Sequence, residues 1–151
     1  MLVRNRTCVY DLNYHLVFVT KYRKVIFIGK NKYDYMKWLL KTICRRHNIK
    51  IQDYEVMPDH VHMLITIQPK LAISSVVKSI KGFTARNWFK KYPQTRKLLY
   101  RGHLWSPSYF VSSLGNMSKS TVKQYIRNQY LNSKYINPKW GGDSSRSLID
   151  R

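Results

Sequence analysis

Acidic side chains are scarce in this sequence and are missing from most of its second half. The 151 residues contain 7 Asp and Glu against 28 Lys and Arg, which gives a formal net charge of +21 at pH 7. No acid occurs between Asp59 and Asp143. A small fold tolerates this much self-repulsion when a polyanion neutralises it, so the composition indicates a nucleic-acid partner.

Cysteines and long apolar runs are scarce as well. Cys8 and Cys44 cannot build a disulfide framework, and neither belongs to a pair with metal-ligand spacing. The sequence contains no run of about eighteen apolar residues, which excludes a membrane-spanning helix, and its N-terminal residues do not resemble a signal peptide. We therefore expect a cytoplasmic protein with no membrane partner.

Enough apolar residues remain to build a folded domain. Hydrophobic residues make up 44% of the chain and aromatic residues 14%, which excludes wholesale disorder. At this length one domain is expected. We place it at residues 1–133 and expect residues 134–151, which contain a Gly-Gly-Asp-Ser-Ser stretch, to form a flexible tail.

Hydrophobic patterning predicts strands that alternate with helices. Segments rich in β-branched and aromatic residues predict strands at 8–20, 49–57, 60–68 and 103–111. Apolar residues at helical spacing predict helices at 31–47, 72–92 and 117–131. The first six elements follow the split βαβ order of an α+β, ferredoxin-like fold, which has an antiparallel sheet with helices on one face. The last helix is an addition at the C-terminus.

The most informative segment is Pro-Asp-His-Val-His at 58–62. Because side chains alternate along a strand, His60 and His62 project to the same side, roughly 7 Å apart, while Val61 and Met63 point the other way. Two such imidazoles can share one divalent metal if a third ligand comes from elsewhere. Taken alone, the pair has a simpler interpretation as two polar residues on a half-exposed strand.

The predicted last helix offers that third ligand. Tyr125 and Gln129 are four residues apart and so lie on one helical face. A nearby cation stabilises a phenolate, which makes a tyrosine a candidate nucleophile, and Gln129 can lend its amide oxygen to the same metal. Without the histidines, packing would be the simpler interpretation of Tyr125.

A basic surface is predicted around the second helix, opposite its stripe of Val76, Ile80 and Phe83. Its candidate DNA-binding residues are Lys78, Lys81, Arg86, Lys90, Lys91 and Arg101. Exposed aromatic residues nearby could stack on unpaired bases, with Tyr92, Tyr100 and Trp105 as candidates. The alternative is a solvated basic face over core aromatics. We interpret His15, near the sheet centre, as structural, with a role at the active site as the lesser alternative.

Taken together, these motifs resemble a known family. Pro-Asp-His-Val-His-Met, followed by Tyr-Ile-Arg-Asn-Gln at 125–129, is similar to the single-tyrosine, His-hydrophobe-His transposases of the insertion-sequence 200/605 type. Residues 14–23, 77–86 and 104–109 resemble that family's first strand, second helix and following strand. The resemblance spans residues 10–132.

The resemblance implies a metal-dependent DNA transposase. His60, His62 and Gln129 would bind Mg²⁺ or Mn²⁺, and Tyr125 would attack a scissile phosphate in single-stranded DNA with hairpin ends. The products would be a 5′-phosphotyrosine link and a free 3′-OH that can reverse the reaction on another strand. Members of the family are homodimers in which the tyrosine helix commonly serves the partner's histidines.

Two other interpretations stay open at this point. One is a non-catalytic module that binds single-stranded nucleic acid, as ferredoxin-like sheets often do through surface aromatics. The other keeps the chemistry in a domesticated relative that acts on short palindromes, or in a replication-type nicking enzyme. The combination of His60, His62, Tyr125 and Gln129 favours an enzyme.

Overall fold

A computed structural model describes residues 2–114 of the chain. The predicted last helix, with Tyr125 and Gln129, and the predicted tail at 134–151 lie outside the described residues. Within residues 2–114, no helix is both long and apolar enough to cross a membrane.

The described residues form six strands and two α-helices. In chain order these are β1 (Val3–Arg4), β2 (Val9–Tyr10), β3 (Asn13–Val19), α1 (Lys30–Arg46), β4 (Lys50–Met57), β5 (His60–Thr66), α2 (Ile73–Lys91) and β6 (Phe110–Leu114). The main sheet is antiparallel with the strand order β4-β5-β3-β6, and β1 pairs with β2 in a separate ribbon. This order is that of a ferredoxin-like fold and confirms the predicted α+β class.

Both helices pack on one face of this sheet. Leu16 lies opposite Met63, and Phe18 lies opposite Val61, across the β3–β5 pair. These four residues are at most 1% exposed and share one core cluster with apolar residues of α1 and α2. The two-residue period of a strand therefore directs the alternate side chains, among them His15, His60 and His62, to the opposite face.

Local sequence explains where the helices begin and end. α1 follows Gly29, whose φ of 91° suits a residue without a side chain. It ends at Arg46, and Asn48, two residues later, adopts a left-handed conformation that asparagine tolerates better than most residues. α2 stops one residue before Tyr92, which precedes Pro93 and so disfavours the helical conformation.

Two strand predictions are corrected by the structure. The strand predicted at 8–20 is two strands, because the chain leaves the β1–β2 ribbon before it enters the main sheet at Asn13. The strand predicted at 103–111 begins only at Phe110. Pro107 has no N–H for a sheet ladder, and the carbonyls of Ser106 and Ser108 accept hydrogen bonds from Lys81 instead.

Candidate metal and catalytic site

Three histidines meet on the sheet face opposite α1 and α2. His60 and His62 project from β5, and His15 projects from the neighbouring strand β3. The ring centroids of His60 and His62 are 4.7 Å apart, and the rings of His15 and His62 stack at 6.0 Å, only 8° from parallel. Each side chain is at most 1% exposed. The simpler interpretation of His60 and His62, as two polar residues on a half-exposed strand, is therefore wrong.

His62 is poised to bind a ligand. Neither of its ring nitrogens has a hydrogen-bond partner within residues 2–114, and leaving a buried polar atom unsatisfied costs about 1–3 kcal/mol. Burial, reinforced by His60 and His15, holds the pKa of His62 far below its usual range. The ring is therefore neutral at pH 7, which is the form that donates a lone pair to a metal.

His60 is oriented by a carboxylate. Asp59 Oδ1 lies 2.5 Å from His60 Nδ1, and Asp59 Oδ2 accepts hydrogen bonds from Arg23 Nε at 3.1 Å and Nη2 at 3.0 Å. Burial opposes ionisation of Asp59, but its contacts with His60 and Arg23 outweigh burial and keep its pKa below the usual range. An ionised carboxylate only accepts, so His60 Nδ1 carries a proton in this contact and Nε2 faces away from Asp59.

The turn that carries Asp59 is itself fixed by the segment after β3. Thr20 N–H donates to the Asp59 carbonyl at 2.9 Å, and the N–H groups of Ile26 and Phe27 donate to the Pro58 carbonyl at 2.9 and 3.0 Å. Arg23 lies within this segment with a φ of 51°, a conformation that a residue with a side chain rarely adopts. These contacts fix the chain on both sides of the Asp59–Arg23 ion pair.

Arg23 and Asp59 were not among the residues predicted for the site. Both lie inside the motifs that suggested it, Thr-Lys-Tyr-Arg at 20–23 and Pro-Asp-His at 58–60. The available signal was an acid next to the histidine pair in a chain otherwise poor in acids.

The donor set fits a divalent cation that accepts nitrogen ligands. His60 and His62 are the two candidate ligands within the described residues, where no group of three or more His, Cys, Asp or Glu side chains is arranged to hold a metal. A third donor must come from elsewhere, and both Gln129 and Tyr125 lie outside residues 2–114. Mg²⁺ prefers oxygen ligands, so two imidazoles should suit Mn²⁺ at least as well.

The predicted basic surface is exposed at five of its six positions. Val76, Ile80 and Phe83 are buried as the stripe requires. The exposed members are Lys78, Arg86, Lys90, Lys91 and Arg101. Their role in DNA binding stays a prediction.

Lys81 differs from the other five basic residues. Its Nζ donates to the carbonyls of Ser106 at 2.8 Å and Ser108 at 2.9 Å and lies 5.5 Å from the ring centre of Tyr109. Burial lowers its pKa to about 8. Lys81 therefore ties α2 to the segment that leads into β6, which the sequence pattern did not indicate.

The predicted base-stacking aromatics fare differently. The prediction that Trp105 is an exposed base-stacking residue is wrong, because its side chain is only 6% exposed. Its Nε1 donates a hydrogen bond to Thr84 Oγ1 at 2.9 Å, and its ring meets the Phe18 ring edge-on at 4.6 Å. Tyr92 is half-buried against Trp88, with ring centroids 4.7 Å apart. The surroundings of the Tyr100 side chain lie outside what the structure describes.

Comparisons with known proteins agree on one family. Residues 8–129 match the family described as IS200-like transposases. The ISDra2 transposase TnpA of Deinococcus radiodurans is 37% identical over 125 residues, which cover 83% of this chain and 89% of that protein. The transposase of insertion sequence element IS200 from Salmonella typhimurium is 28% identical over 119 residues, covering 79% of this chain and 77% of that protein.

Solved structures share the fold. The crystal structure of a candidate transposase from Deinococcus radiodurans R1 has a TM-score of 0.69 and 35% identity, covering 84% of this chain and 97% of that one. A REP-associated tyrosine transposase bound to a REP hairpin has a TM-score of 0.56 and 15% identity, covering 93% of this chain and 76% of that one. From the match over most of its length and the identity to its relatives, this chain belongs to the IS200-like transposase family.

Proposed function

We propose that this protein is a DNA transposase that cleaves and rejoins single-stranded DNA at insertion-sequence ends through a 5′-phosphotyrosine intermediate. The observation that carries the proposal is the buried pair His60 and His62, with the ring of His60 oriented by Asp59, in a chain of the IS200-like family. His62 is neutral at pH 7, and neither of its ring nitrogens has a hydrogen-bond partner within residues 2–114, so hydrogen bonding in that part of the chain does not explain why this imidazole is buried.

Tyr125 is the proposed nucleophile. Its phenolic oxygen loses its proton and attacks the scissile phosphorus, so that a Tyr–O–P bond forms while the P–O3′ bond breaks and the 3′-oxygen takes up a proton. The phosphodiester energy is kept in the phosphotyrosine. The free 3′-OH can therefore reverse the step on another strand, and no nucleotide cofactor is needed.

His60, His62 and Gln129 are the proposed ligands of Mg²⁺ or Mn²⁺. Such an ion, when bound, offsets the charge that builds up on a non-bridging phosphate oxygen. Arg23 and Asp59 would not bind the ion themselves. Asp59 contacts His60 and is held by Arg23, and together they fix the orientation of the His60 ring. This arrangement leaves the metal-facing nitrogen in place before DNA arrives.

The proposed partner is single-stranded DNA with hairpin ends, bound by a homodimer whose subunits share active sites. The excess of 28 basic over 7 acidic residues supports a polyanionic partner. A hairpin is also the bound partner named for the REP-associated structure, which shares the fold. The ISDra2 relative supports a mobile element over a domesticated relative, and palindromic ends beside the gene would agree with it.

A covalent-adduct assay tests the proposal. Labelled single-stranded DNA that carries the element's end hairpin is mixed with purified protein and Mn²⁺ or EDTA, and adducts are separated under denaturing conditions. We expect an adduct that needs metal, disappears in Tyr125→Phe and persists in the matched control Tyr130→Phe. An adduct retained by Tyr125→Phe would reject this nucleophile.

The same assay separates the enzyme from a binding module. His62→Ala should abolish cleavage and leave most of the DNA affinity, because affinity depends on the basic surface rather than on the imidazoles. Tight binding by the wild type without cleavage in any divalent metal would instead identify a non-catalytic nucleic-acid-binding protein.

A further inference from the structure

A second cluster of aromatic and basic side chains lies on the outer side of the helix layer. Tyr35 and Trp38 of α1 stack with ring centroids 5.9 Å apart and planes 17° from parallel. Tyr92, the residue after α2, meets Tyr35 edge-on at 5.9 Å. We call Tyr35, Trp38 and Tyr92 with the neighbouring Lys91 the α1 platform. It borders a cleft of about 510 Å³.

Trp38 is the member that packing does not explain. The core-facing side of α1 is formed by other residues, among them Leu39, Leu40 and Ile43, each at most 5% exposed. Trp38 itself is 58% exposed. Tyr35 stacks beside the indole, and most of the Trp38 side chain remains exposed. An exposed aromatic ring is what an unpaired base stacks on.

The charges around the platform suit a polyanion. Lys91 Nζ lies 4.2 Å from the ring centre of Tyr35, and Lys32 Nζ lies 5.6 Å from that of Tyr92. Lys41 is exposed one turn beyond Trp38. Asp34 is the one acid that lines the cleft. A base stacked on Trp38 would therefore place its flanking phosphates among lysines.

We propose that the α1 platform is a second binding site for single-stranded DNA, with an unpaired base stacked on Trp38 and neighbouring phosphates on Lys91 and Lys32. The helices lie on one face of the sheet and His60 and His62 on the other, so this base is not the one beside the scissile phosphate. The choice of DNA as ligand rests on the proposed function. Stacking tolerates any base, so the site adds affinity without a sequence requirement.

Equilibrium binding of an unstructured single-stranded oligonucleotide, measured by fluorescence anisotropy at fixed salt, tests the platform. Trp38→Leu keeps apolar bulk but removes the π face, and should weaken binding roughly tenfold. Trp38→Phe keeps a π face and should retain most of the affinity. Leu98→Ala changes another exposed apolar residue, 57% exposed, and should bind as the wild type does.

An abasic oligonucleotide of the same length separates stacking from charge. This oligonucleotide should bind the wild type and Trp38→Leu with equal affinity, because it has no bases that could stack on Trp38. Photocrosslinking of an oligonucleotide that contains 5-iodouracil should map to Trp38 by mass spectrometry. Equal affinity of Trp38→Leu and wild type for the normal oligonucleotide would overturn the proposal. So would a change of sedimenting mass in Trp38→Leu without DNA, which would identify a protein interface.

The adduct assay on the same preparations keeps the two proposals apart. If the platform is a binding site and the proposed function holds, Trp38→Leu still forms the metal-dependent adduct at saturating DNA. If the wild type forms no adduct, the proposed function is wrong. The ratio of the DNA affinities of wild type and Trp38→Leu would still show whether the α1 platform binds DNA. Adduct formation with unchanged affinity in Trp38→Leu would defeat the platform alone.

Discussion

Asp59 illustrates how one residue can serve two elements. Its carboxylate joins Arg23, on the segment after β3, to His60 at the start of β5. Its backbone carbonyl accepts from Thr20 at the end of β3. The position of the His60 ring therefore depends on contacts made far away in sequence, and we expect Asp59 to influence the proposed metal binding through this ring.

Replacement of Asp59 by Asn should lower the affinity for Mn²⁺ by about 10–100-fold, the range for loss of a partner that orients a metal-bound histidine. The amide can donate as well as accept, so it no longer fixes the proton on His60 Nδ1. Isothermal titration with Mn²⁺, without DNA, measures the effect. Asp34→Asn removes an exposed acid on α1 and should bind Mn²⁺ as the wild type does. An unchanged affinity in Asp59→Asn would show that His60 needs no such partner.

At the scale of elements, strand β5 divides two tasks between its faces. Val61, Met63 and Ile65 pack beneath the helices, and His60 and His62 face the other way. A slip of one residue in the pairing with β3 would exchange these sets. The core that stabilises the sheet thus also aligns the two imidazoles.

Lys81 provides an element-scale prediction, because it joins α2 to the segment before β6. Lys81→Met should lower the melting temperature, since the carbonyls of Ser106 and Ser108 lose their donor. Lys78→Met, three residues earlier and exposed, should leave the melting temperature unchanged and weaken DNA binding instead. Equal melting temperatures for the two variants would contradict the assigned role of Lys81.

Lys81 also predicts a pH dependence of stability. Its pKa is about 8 in the folded protein, against 10.5 for an exposed lysine. Between pH 8 and 10.5 the unfolded chain binds more protons at Lys81 than the folded protein does. The free energy of unfolding therefore rises with pH in this range, whereas below pH 8 Lys81 adds no pH dependence. The stability difference between wild type and Lys81→Met, from urea unfolding at pH 7 to 10, should grow with pH. A constant difference would mean that Lys81 keeps its ordinary pKa.

The order of elements and the shared face of His60 and His62 were predictable because both depend on local periodicity. The start of β6 and the burial of Trp105 were not. They depend on Lys81 reaching the chain 25 residues further on and on Thr84 accepting from the indole, and neither contact leaves a periodic trace in the sequence. The stacking of His15 on His62 likewise needed the β3–β5 register.

At the scale of the whole molecule, the layers separate the two proposed DNA contacts. The histidines lie on one side of the sheet, and the α1 platform lies beyond the helices on the other. Exposed basic residues occur on both helices, among them Lys41, Arg45, Lys78 and Arg86. A single strand that reached both sites would have to pass over this positive surface, and electrostatics would then dominate its affinity.

Affinity for single-stranded DNA should fall steeply and linearly on a logarithmic salt scale, with a slope of about −0.7 for each phosphate neutralised. The double variant Arg86→Ala, Lys90→Ala should reduce the slope by about 1.4 if each side chain contacts one phosphate. Trp38→Leu should lower the affinity without changing the slope, because stacking releases no counterions. Anisotropy titrations between low and moderate salt give both quantities. A slope unaffected by the double variant would place the DNA elsewhere.

The proposed sharing of active sites between subunits can be tested by mixing two inactive variants. Tyr125→Phe lacks the nucleophile and His60→Ala lacks a metal ligand, so each homodimer should be inactive in the adduct assay. Mixing the two under conditions that exchange subunits should restore activity if the tyrosine of one subunit serves the histidines of the other, since one composite site then has an intact Tyr125, His60 and His62. With sites built within single subunits, every site in the mixture would lack one group and activity would stay absent.

A mixture of Tyr125→Phe with His62→Ala should also restore activity if sites are shared. A mixture of His60→Ala with His62→Ala should restore nothing, because each subunit has a damaged histidine pair.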